Sequence, residues 1–233
     1  MRKISRRRVF NTLGSVSIIT VFSLFAWSPL IAGEKDTLMI ERFSGEKDGD
    51  GIPLGWKLEK KKGKADIKIE KEGDNSYLHF VCNNSSFGIN KEIEFKIEDF
   101  PILSWRWKVT KLPKGGDVRK KSSDDQAAQV YVAFPKFPAK VNTRLVGYIW
   151  ENEAPKGSMV TSQQWSKLKY VVLRDKTDVL DQWVTERRNV YEDYKKLFEE
   201  EPPKVGGFSL YINSQRTEST AESCFDDVYF TKE

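Results

Sequence analysis

The sequence predicts an all-β fold, an antiparallel β-sandwich of the jelly-roll type with one short α-helix near residues 189–200. About ten short apolar or alternating segments follow residue 34, and clusters of Gly, Pro, Asn and Asp separate them. The chain also contains 7 Trp, 14 Phe and 8 Tyr, enough large side chains for a hydrophobic core. Residues 34–233 are therefore predicted to form a single β-sandwich domain.

The predicted strands are defined by the spacing of their apolar side chains. Residues Ala65–Ile69 and Glu92–Ile97 alternate between apolar and charged, which is the period of a half-buried strand. The other predicted strands are Thr37–Phe43, Tyr77–Cys82, Ile102–Val109, Gln129–Phe134, Leu145–Trp150, Leu168–Leu173, Val205–Ile212 and Phe225–Phe230.

One segment has helical spacing instead. Asn189 is expected to cap the amino terminus of a helix, with Glu192 at the third helical position as in a capping box. An apolar stripe follows at Val190, Tyr191, Tyr194, Leu197 and Phe198. Two prolines at 202–203 end the helix. We interpret this helix as scaffold that packs across an edge or open end of the sandwich.

Residues 1–33 are predicted to be an export signal. Five Lys or Arg residues lie among the first eight, and an uncharged, largely apolar stretch runs from Val9 to Gly33. Residues 5–10 also fit the twin-arginine pattern, so both the Sec and the twin-arginine routes stay open. We expect cleavage, with an uncleaved membrane anchor as the alternative. The domain is then periplasmic or secreted, and an uncleaved segment would be its only membrane contact.

The charge of the mature domain argues against nucleic acid as a partner. The chain has 39 Lys and Arg against 34 Asp and Glu. Five of these cations belong to the predicted signal, which leaves 34 cations against 34 anions. The basic isoelectric point of the whole chain therefore comes from the signal and does not indicate a nucleic-acid or acidic-membrane partner.

The scarcity of histidine and cysteine excludes several kinds of site. His79 is the single histidine and lies in a predicted strand, where a structural role is expected. A His/Cys metal cluster and a Cys–His pair are excluded, and a Ser–His–Asp triad would have to use His79. Cys82 and Cys224 are the only cysteines. Either a disulfide or two buried thiols fits an exported domain.

A polar ligand site is the first functional hypothesis. In the strand around Arg106, the tryptophans at 105 and 107 face the core, and Arg106 faces the other way. Asp124 and Asp125 precede the next strand, where Gln129 and Tyr131 share one face. One interpretation is an ion pair at a turn. The other is a cleft of these five residues that hydrogen-bonds a glycan or a small polar ligand.

A structural Ca²⁺ site is the second hypothesis. In a regular strand Asp226 would point into the core, where a carboxylate needs a partner or a metal. Ca²⁺ prefers carboxylate and backbone oxygens, so Asp226 together with Glu41 near the start of the domain is a candidate site. The alternatives are a bulge that turns Asp226 to solvent, or hydrogen bonds from backbone amides.

Several segments together resemble the bacterial family catalogued as domain of unknown function 3047. They are Leu103–Val109, Asp124–Phe134, Gly147–Trp150, Trp183–Phe198 and Glu201–Phe208, and the resemblance extends from about Glu41 to Phe230. It implies an exported protein with no established activity. In that family the position of Gln129 is often basic, and the stretch after Leu210 is usually rich in Asp and Thr. If that stretch forms a site in the family, its version here, Tyr211–Thr217, is altered.

A looser resemblance links the chain to galactose-binding-like jelly rolls of carbohydrate-binding modules. It rests on Gly55–Trp56 near the start and on Asp226–Val228 at the end, and in several such modules the final Asp helps to hold a Ca²⁺. The leading hypothesis is a non-catalytic glycan-binding sandwich. An envelope glycoside hydrolase or lyase with a carboxylate pair, and a protein–protein interaction module, are the alternatives. The sequence does not determine the oligomeric state.

Overall fold

The computed structural model of the chain describes residues 36–49 and 51–233, and the predicted export segment lies outside these residues. The described residues form two β-sheets and two helices. The strands are β1 (Thr37–Glu41), β2 (Trp56–Lys62), β3 (Asp66–Glu72), β4 (Asn75–Asn83), β5 (Ser86–Phe95), β6 (Ile102–Lys111), β7 (Ala128–Phe134), β8 (Arg144–Trp150), β9 (Met159–Thr161), β10 (Leu168–Arg174), β11 (Val184–Asn189), β12 (Val205–Asn213) and β13 (Thr220–Thr231). The helices are α1 (Ala139–Asn142) and α2 (Val190–Phe198).

The two sheets form the predicted β-sandwich. One sheet has six strands in the order β11-β6-β13-β4-β3, with β1 also paired to β13. The other has seven strands in the order β2-β5-β12-β7-β8-β10-β9. The pairs are antiparallel except for β8 and β10, which run parallel. The sequence therefore predicted the class correctly, and one parallel pair departs from the antiparallel expectation.

Aromatic side chains join the two sheets across the core. Trp105 and Trp107 of β6 are fully buried, as their alternation with Arg106 predicted. The ring of Trp107 lies 5.8 Å from that of Trp150, and Trp105 lies 5.4 Å from Tyr148, both of which belong to the opposite sheet. Large rings in contact across a sandwich contribute much of its buried apolar area.

Helix α2 has the predicted cap and the predicted apolar face. The Asn189 side chain accepts a hydrogen bond from the Glu192 N–H at 3.0 Å. Tyr194 is buried, with its ring 4.6 Å from that of Phe134. The helix contacts β6 and β11 of one sheet and β8 of the other, so it covers an end of the sandwich. The scaffold interpretation of this helix therefore agrees with its packing.

Three strands were absent from the sequence-based prediction, and all three lie at sheet edges. They are β2, β9 and β11. In β2 only Trp56 is buried, and the next six residues are exposed. An edge strand with little buried surface needs no apolar alternation, and lysines on an edge oppose pairing with another chain. Alternation therefore identifies inner strands more readily than edge strands.

Residues Ala32–Glu233 form one compact unit. Its buried core extends from Ile40 to Phe230 and draws on both sheets, so this unit carries a complete core and is expected to fold by itself. Among the described residues, none of the helices has the length and apolar character needed to cross a membrane.

Candidate functional site

The outer face of the seven-stranded sheet carries a groove of about 330 Å³. Side chains that alternate with core residues form its floor, because successive residues of a strand point to opposite faces. Loops 112–127 and 162–167 and strand β2 border it. Its lining residues are Glu59, Lys61, Ser86, Asp124, Gln129, Tyr131, Leu145, Ser162, Gln164, Trp165, Leu168, Tyr170, Ser209, Tyr211, Asn213 and Gln215.

The aromatic part of the floor rests on two glycines. A Cβ on Gly147 would lie 2.8 Å from the Tyr170 ring and 2.9 Å from the Tyr131 ring. A Cβ on Gly88 would lie 2.2 Å from the Tyr211 ring. The three rings therefore occupy space that any side chain at these two positions would fill. Tyr131 lies between the other two rings, with both centroid distances at 6.3 Å.

A chain of hydrogen bonds orients the polar side chains of the floor. The Tyr131 hydroxyl donates to Gln129 Oε1. Gln129 Nε2 donates in turn to Asn213 Oδ1 at 2.7 Å, and Asn213 Nδ2 donates to the Asp124 backbone oxygen at 2.8 Å. Burial raises the pKa of Tyr131 well above its usual value, so its hydroxyl stays protonated and can donate.

Asp124 is the buried carboxylate of the groove, with 2% of its surface exposed. Gln126 Nε2 donates to its Oδ1 at 2.9 Å, and Gln164 Nε2 donates to its Oδ2 at 2.8 Å. Burial raises the pKa of Asp124, and the two amide hydrogen bonds oppose that shift. Gln164 also accepts a hydrogen bond from Arg216 Nη2 at 2.5 Å. Asp124 thus holds loop 162–167 across the groove.

Asp125, the next residue, makes a different set of hydrogen bonds. Its Oδ2 accepts hydrogen bonds from the backbone N–H groups of Arg216 and Thr217, at 2.8 and 2.7 Å, and from the Thr217 hydroxyl at 2.9 Å. It is fully buried and does not line the groove. Asp125 therefore holds the turn after β12.

The rim of the groove combines an ion pair with aromatic surface. Lys61 Nζ lies 3.7 Å from Glu59 Oε1 and 4.8 Å from the centre of the Tyr211 ring. Trp165, in the loop opposite, is 36% exposed. An exposed lysine side chain moves at little cost, so the Tyr211 face is accessible to a ligand that displaces it.

Arg106 lies in the six-stranded sheet, so the expected ion pair of Arg106 with Asp124 and Asp125 is wrong. Its Nη1 lies 3.5 Å from Asp226 Oδ2 and 3.5 Å from Asp227 Oδ2, and its guanidinium lies 4.9 Å from the Trp183 ring centre. Of the five predicted ligand residues, the structure brings together Asp124, Gln129 and Tyr131.

A bulge reverses the direction of Asp226, as one of the predicted alternatives expected, but it does not turn the side chain to solvent. The register of β13 shifts after Asp226, where Asp227 has a φ of 47°. The bulge places both Phe225 and Val228 in the core and turns Asp226 to the outer face. Asp226 is nevertheless fully buried there, and Asn75 Nδ2 donates to it at 2.7 Å. Burial raises the pKa of its carboxyl group.

The second predicted metal ligand, Glu41, has its own partners. Its Oε1 accepts a hydrogen bond from the Phe43 N–H at 2.9 Å, and its Oε2 accepts one from Trp56 Nε1 at 2.8 Å. Asp226 is likewise surrounded by donors, whereas a Ca²⁺ site needs several oxygen ligands. Residues 36–49 and 51–233 contain no group of three or more His, Cys, Asp or Glu suited to a metal ion. The geometry at Asp226 and Glu41 does not fit Ca²⁺.

The histidine and the cysteines have structural surroundings. His79 lies between two carboxylates, with Nδ1 2.9 Å from Glu70 Oε1 and Nε2 2.8 Å from Glu222 Oε1. Both cysteines are buried free thiols. Cys82 pairs with Ala221, three residues from Cys224 along β13, so the two thiols point to opposite faces of the sheet. Opposite orientation prevents a disulfide.

The sequence-based prediction missed most of the residues that line the groove. Ser209, Tyr211 and Asn213 alternate with the core residues Leu210 and Ile212, so the period of β12 already placed them on the outer face. Alternation along β10 likewise places Tyr170 on the outer face of the sheet. Gln164 and Trp165 come from a loop, whose course no periodic pattern predicts.

Comparisons with solved structures give similar sandwiches at low sequence identity. A family 11 carbohydrate-binding module of a Clostridium thermocellum cellulosomal cellulase is 10% identical, with 84% of this chain and 94% of the module covered and a TM-score of 0.46. A family 30 module from the same organism is 8% identical, with 84% and 98% covered and a TM-score of 0.48. A family 11 xylanase from Neocallimastix patriciarum is 11% identical, with 84% and 96% covered and a TM-score of 0.39. This similarity concerns the fold alone.

The sequence comparisons are more specific. No curated protein matches the chain. The model of the family described as "Protein of unknown function (DUF3047)" matches residues 55–229, which include every strand of the groove. The matched residues make up most of the chain, and the chain therefore belongs to the DUF3047 family.

Proposed function

We propose that this protein is an exported, non-catalytic carbohydrate-binding domain whose groove on the seven-stranded sheet takes an uncharged glycan. The observation that carries the proposal is the pairing of aromatic rings with hydrogen-bonded amides on one floor. Tyr131 and Tyr211 line the floor with ring surface, and Gln129 and Asn213 place hydrogen-bonded amide groups beside them. A sugar has both an apolar face and hydroxyl groups, so it matches this arrangement.

The charge of the groove supports an uncharged ligand. Most of its polar lining consists of amides and hydroxyls, including Gln129, Asn213 and Gln215. Glu59 and Lys61 form an ion pair with each other. A phosphate or carboxylate ligand would need a cation in the groove lining, whereas the lining contains the buried carboxyl of Asp124 and a lysine, Lys61, that is paired with Glu59.

The geometry favours binding over catalysis. A hydrolase that uses Asp124 and Asp125 needs both carboxylates at the glycosidic bond. Asp125 instead accepts three hydrogen bonds from the turn at Arg216 and Thr217. The third alternative, a protein–protein interaction module, requires a large apolar patch in place of a pocket, and the groove argues against it.

A glycan array followed by calorimetry tests the proposal on the unit Ala32–Glu233. We expect the protein to bind at least one class of neutral glycan. Trp165→Ala, which removes an exposed ring from the groove, should weaken binding about tenfold, or by about 1.4 kcal/mol. Gln129→Ala should also weaken it. The matched control is Trp183→Ala, directly before β11 of the other sheet, which should leave the affinity unchanged.

The proposal is abandoned if a broad array gives no ligand. It is also abandoned if Trp183→Ala lowers the affinity as much as Trp165→Ala does, because the groove would then not be the site.

A further inference from the structure

The groove changes character along the direction of its strands. Tyr211 pairs with Gln129 in one row of the sheet, and this row, with Asn213 two residues beyond it along β12, forms the polar end of the groove. Four residues further along β7, Ala133 pairs with Leu145, which pairs with Leu168. At about 3.3 Å per residue, the polar and apolar rows are roughly 13 Å apart.

The polar end of the groove is covered. Val118, in loop 112–127, packs against Ile149 and Val172 on the outer face of the sheet. The same loop carries Asp124, which binds Gln164 from the opposite loop. From this end the groove leads along the strands toward Leu145 and Leu168.

Two exposed apolar side chains lie beyond the Leu145–Leu168 end of the groove. The tip that joins β7 to β8 holds Phe137, which is 95% exposed, and Val141, which is 56% exposed. Leu145 is the second residue of β8 and directly follows this tip, so the two lie at the same end of the sheet. Lys167 Nζ donates to the Val141 backbone oxygen at 2.6 Å and so joins the tip to the loop of Trp165.

This exposure has no explanation within the domain. A phenylalanine with almost its whole surface in water contributes nothing to the core, and the neighbouring apolar residues of the tip are exposed as well. Exposed apolar side chains at the apolar end of a ligand groove are suited to an apolar part of the ligand.

We infer that the groove takes a saccharide linked to a hydrocarbon chain, with the sugar at the Gln129 end and the chain along Leu145, Leu168 and the Phe137 tip. This inference rests on the proposed function and adds the class of ligand. The amide row then selects the sugar, and the apolar row selects for the chain. Each methylene group of the chain that leaves water at the apolar row adds severalfold to the affinity.

Matched pairs of glycosides test the inference on the unit Ala32–Glu233. The probes are the methyl and octyl glycosides of glucose, galactose and N-acetylglucosamine, with the octyl forms below their micelle concentrations. We expect the octyl form of at least one sugar to bind at least tenfold more tightly than its methyl form. Burial of two methylene groups suffices for that ratio.

Two variants test where the hydrocarbon chain of the ligand binds. Leu168→Ala and Phe137→Ala should each lower the octyl-to-methyl ratio at least threefold, and Phe137→Ala, which lies outside the groove lining, should leave the affinity for the methyl glycoside unchanged. The control is Leu54→Ala, an aliphatic residue that is 54% exposed and does not line the groove. It should leave the ratio unchanged.

Three results overturn the inference. Equal affinity for methyl and octyl forms rejects the apolar chain but leaves a glycan site in place. Octyl binding that is equal for all three sugars, or an octyl-to-methyl ratio that Leu168→Ala leaves unchanged, shows nonspecific adsorption. Absence of binding for all three pairs rejects this ligand class, and the glycan array then decides the proposed function separately.

Discussion

Glu151 offers a sharp test of the electrostatics around the groove. It follows β8 directly and is fully buried, next to the loop that covers the polar end. Its Oε1 accepts a hydrogen bond from the Val118 N–H at 3.2 Å, and among the described residues its Oε2 has no hydrogen-bond partner. Burial raises the pKa of this carboxyl from 4.5 to about 7.

The sign of the effect on stability follows from that shift. The folded protein holds the proton of Glu151 more tightly than the unfolded chain does. Its contribution is therefore complete below pH 4.5 and is lost as the pH rises through about 7. At about 1.4 kcal/mol per pH unit, the loss amounts to roughly 3 kcal/mol.

Glu151→Gln removes the titrating group. The unfolding free energy of the variant should therefore rise by roughly 3 kcal/mol relative to that of the wild type between pH 4 and pH 8. The new amide can leave a donor unpaired, which costs about 1–3 kcal/mol at every pH. The quantity to measure is therefore how the difference in unfolding free energy between the variant and the wild type changes with pH.

Urea unfolding of the unit Ala32–Glu233 at pH 4, 6 and 8 gives this difference. The matched control is Glu153→Gln, two residues away and exposed, for which the difference should stay constant within about 0.5 kcal/mol. If Glu151→Gln gives the same free-energy difference from wild type at pH 4 and pH 8, Glu151 does not titrate in this window and the reasoning is refuted.

Further substitutions test the packing under the groove and the cap of helix α2. Gly147→Ala places a Cβ 2.9 Å from the Tyr131 ring, so we expect a loss of about 1–3 kcal/mol and weaker ligand binding. Gly207→Ala, on the same face with 3.5 Å to its nearest neighbour, should fold normally, and equal losses in both would contradict the close packing. Asn189→Ala removes the cap on the Glu192 N–H and should cost about 1 kcal/mol in urea unfolding; no loss would show that the cap is not stabilising.

The inner strands and helix α2 could be predicted because each carries a local pattern. Trp105 and Trp107 alternate with polar residues, and Asn189 stands three residues before Glu192. Such patterns reflect burial on one face or a hydrogen bond within one turn. The edge strand β2 lacks such a pattern because its side chains after Trp56 remain in water.

The correctly predicted site residues follow the period of β7 or, like Asp124, stand just before that strand. Gln129 and Tyr131 share a face of β7 in the sequence and line the groove together. Arg106 was assigned to the same cleft on charge alone, and it belongs to the other sheet. A single residue inserted at Asp227 also reversed the expected face of Asp226, because a bulge changes the parity of a strand.

The sequence by itself determined the β-sandwich class, the family resemblance, the capped helix and the face of each regular strand. Only the tertiary structure decided which faces meet: that Asp124, Gln164 and Asn213, which are far apart in the chain, converge on one groove. Periodicity records which side of a strand is buried. Strand order, and the paths of the loops that bring Asp124 and Gln164 together, depend on packing among distant segments, which no local pattern encodes.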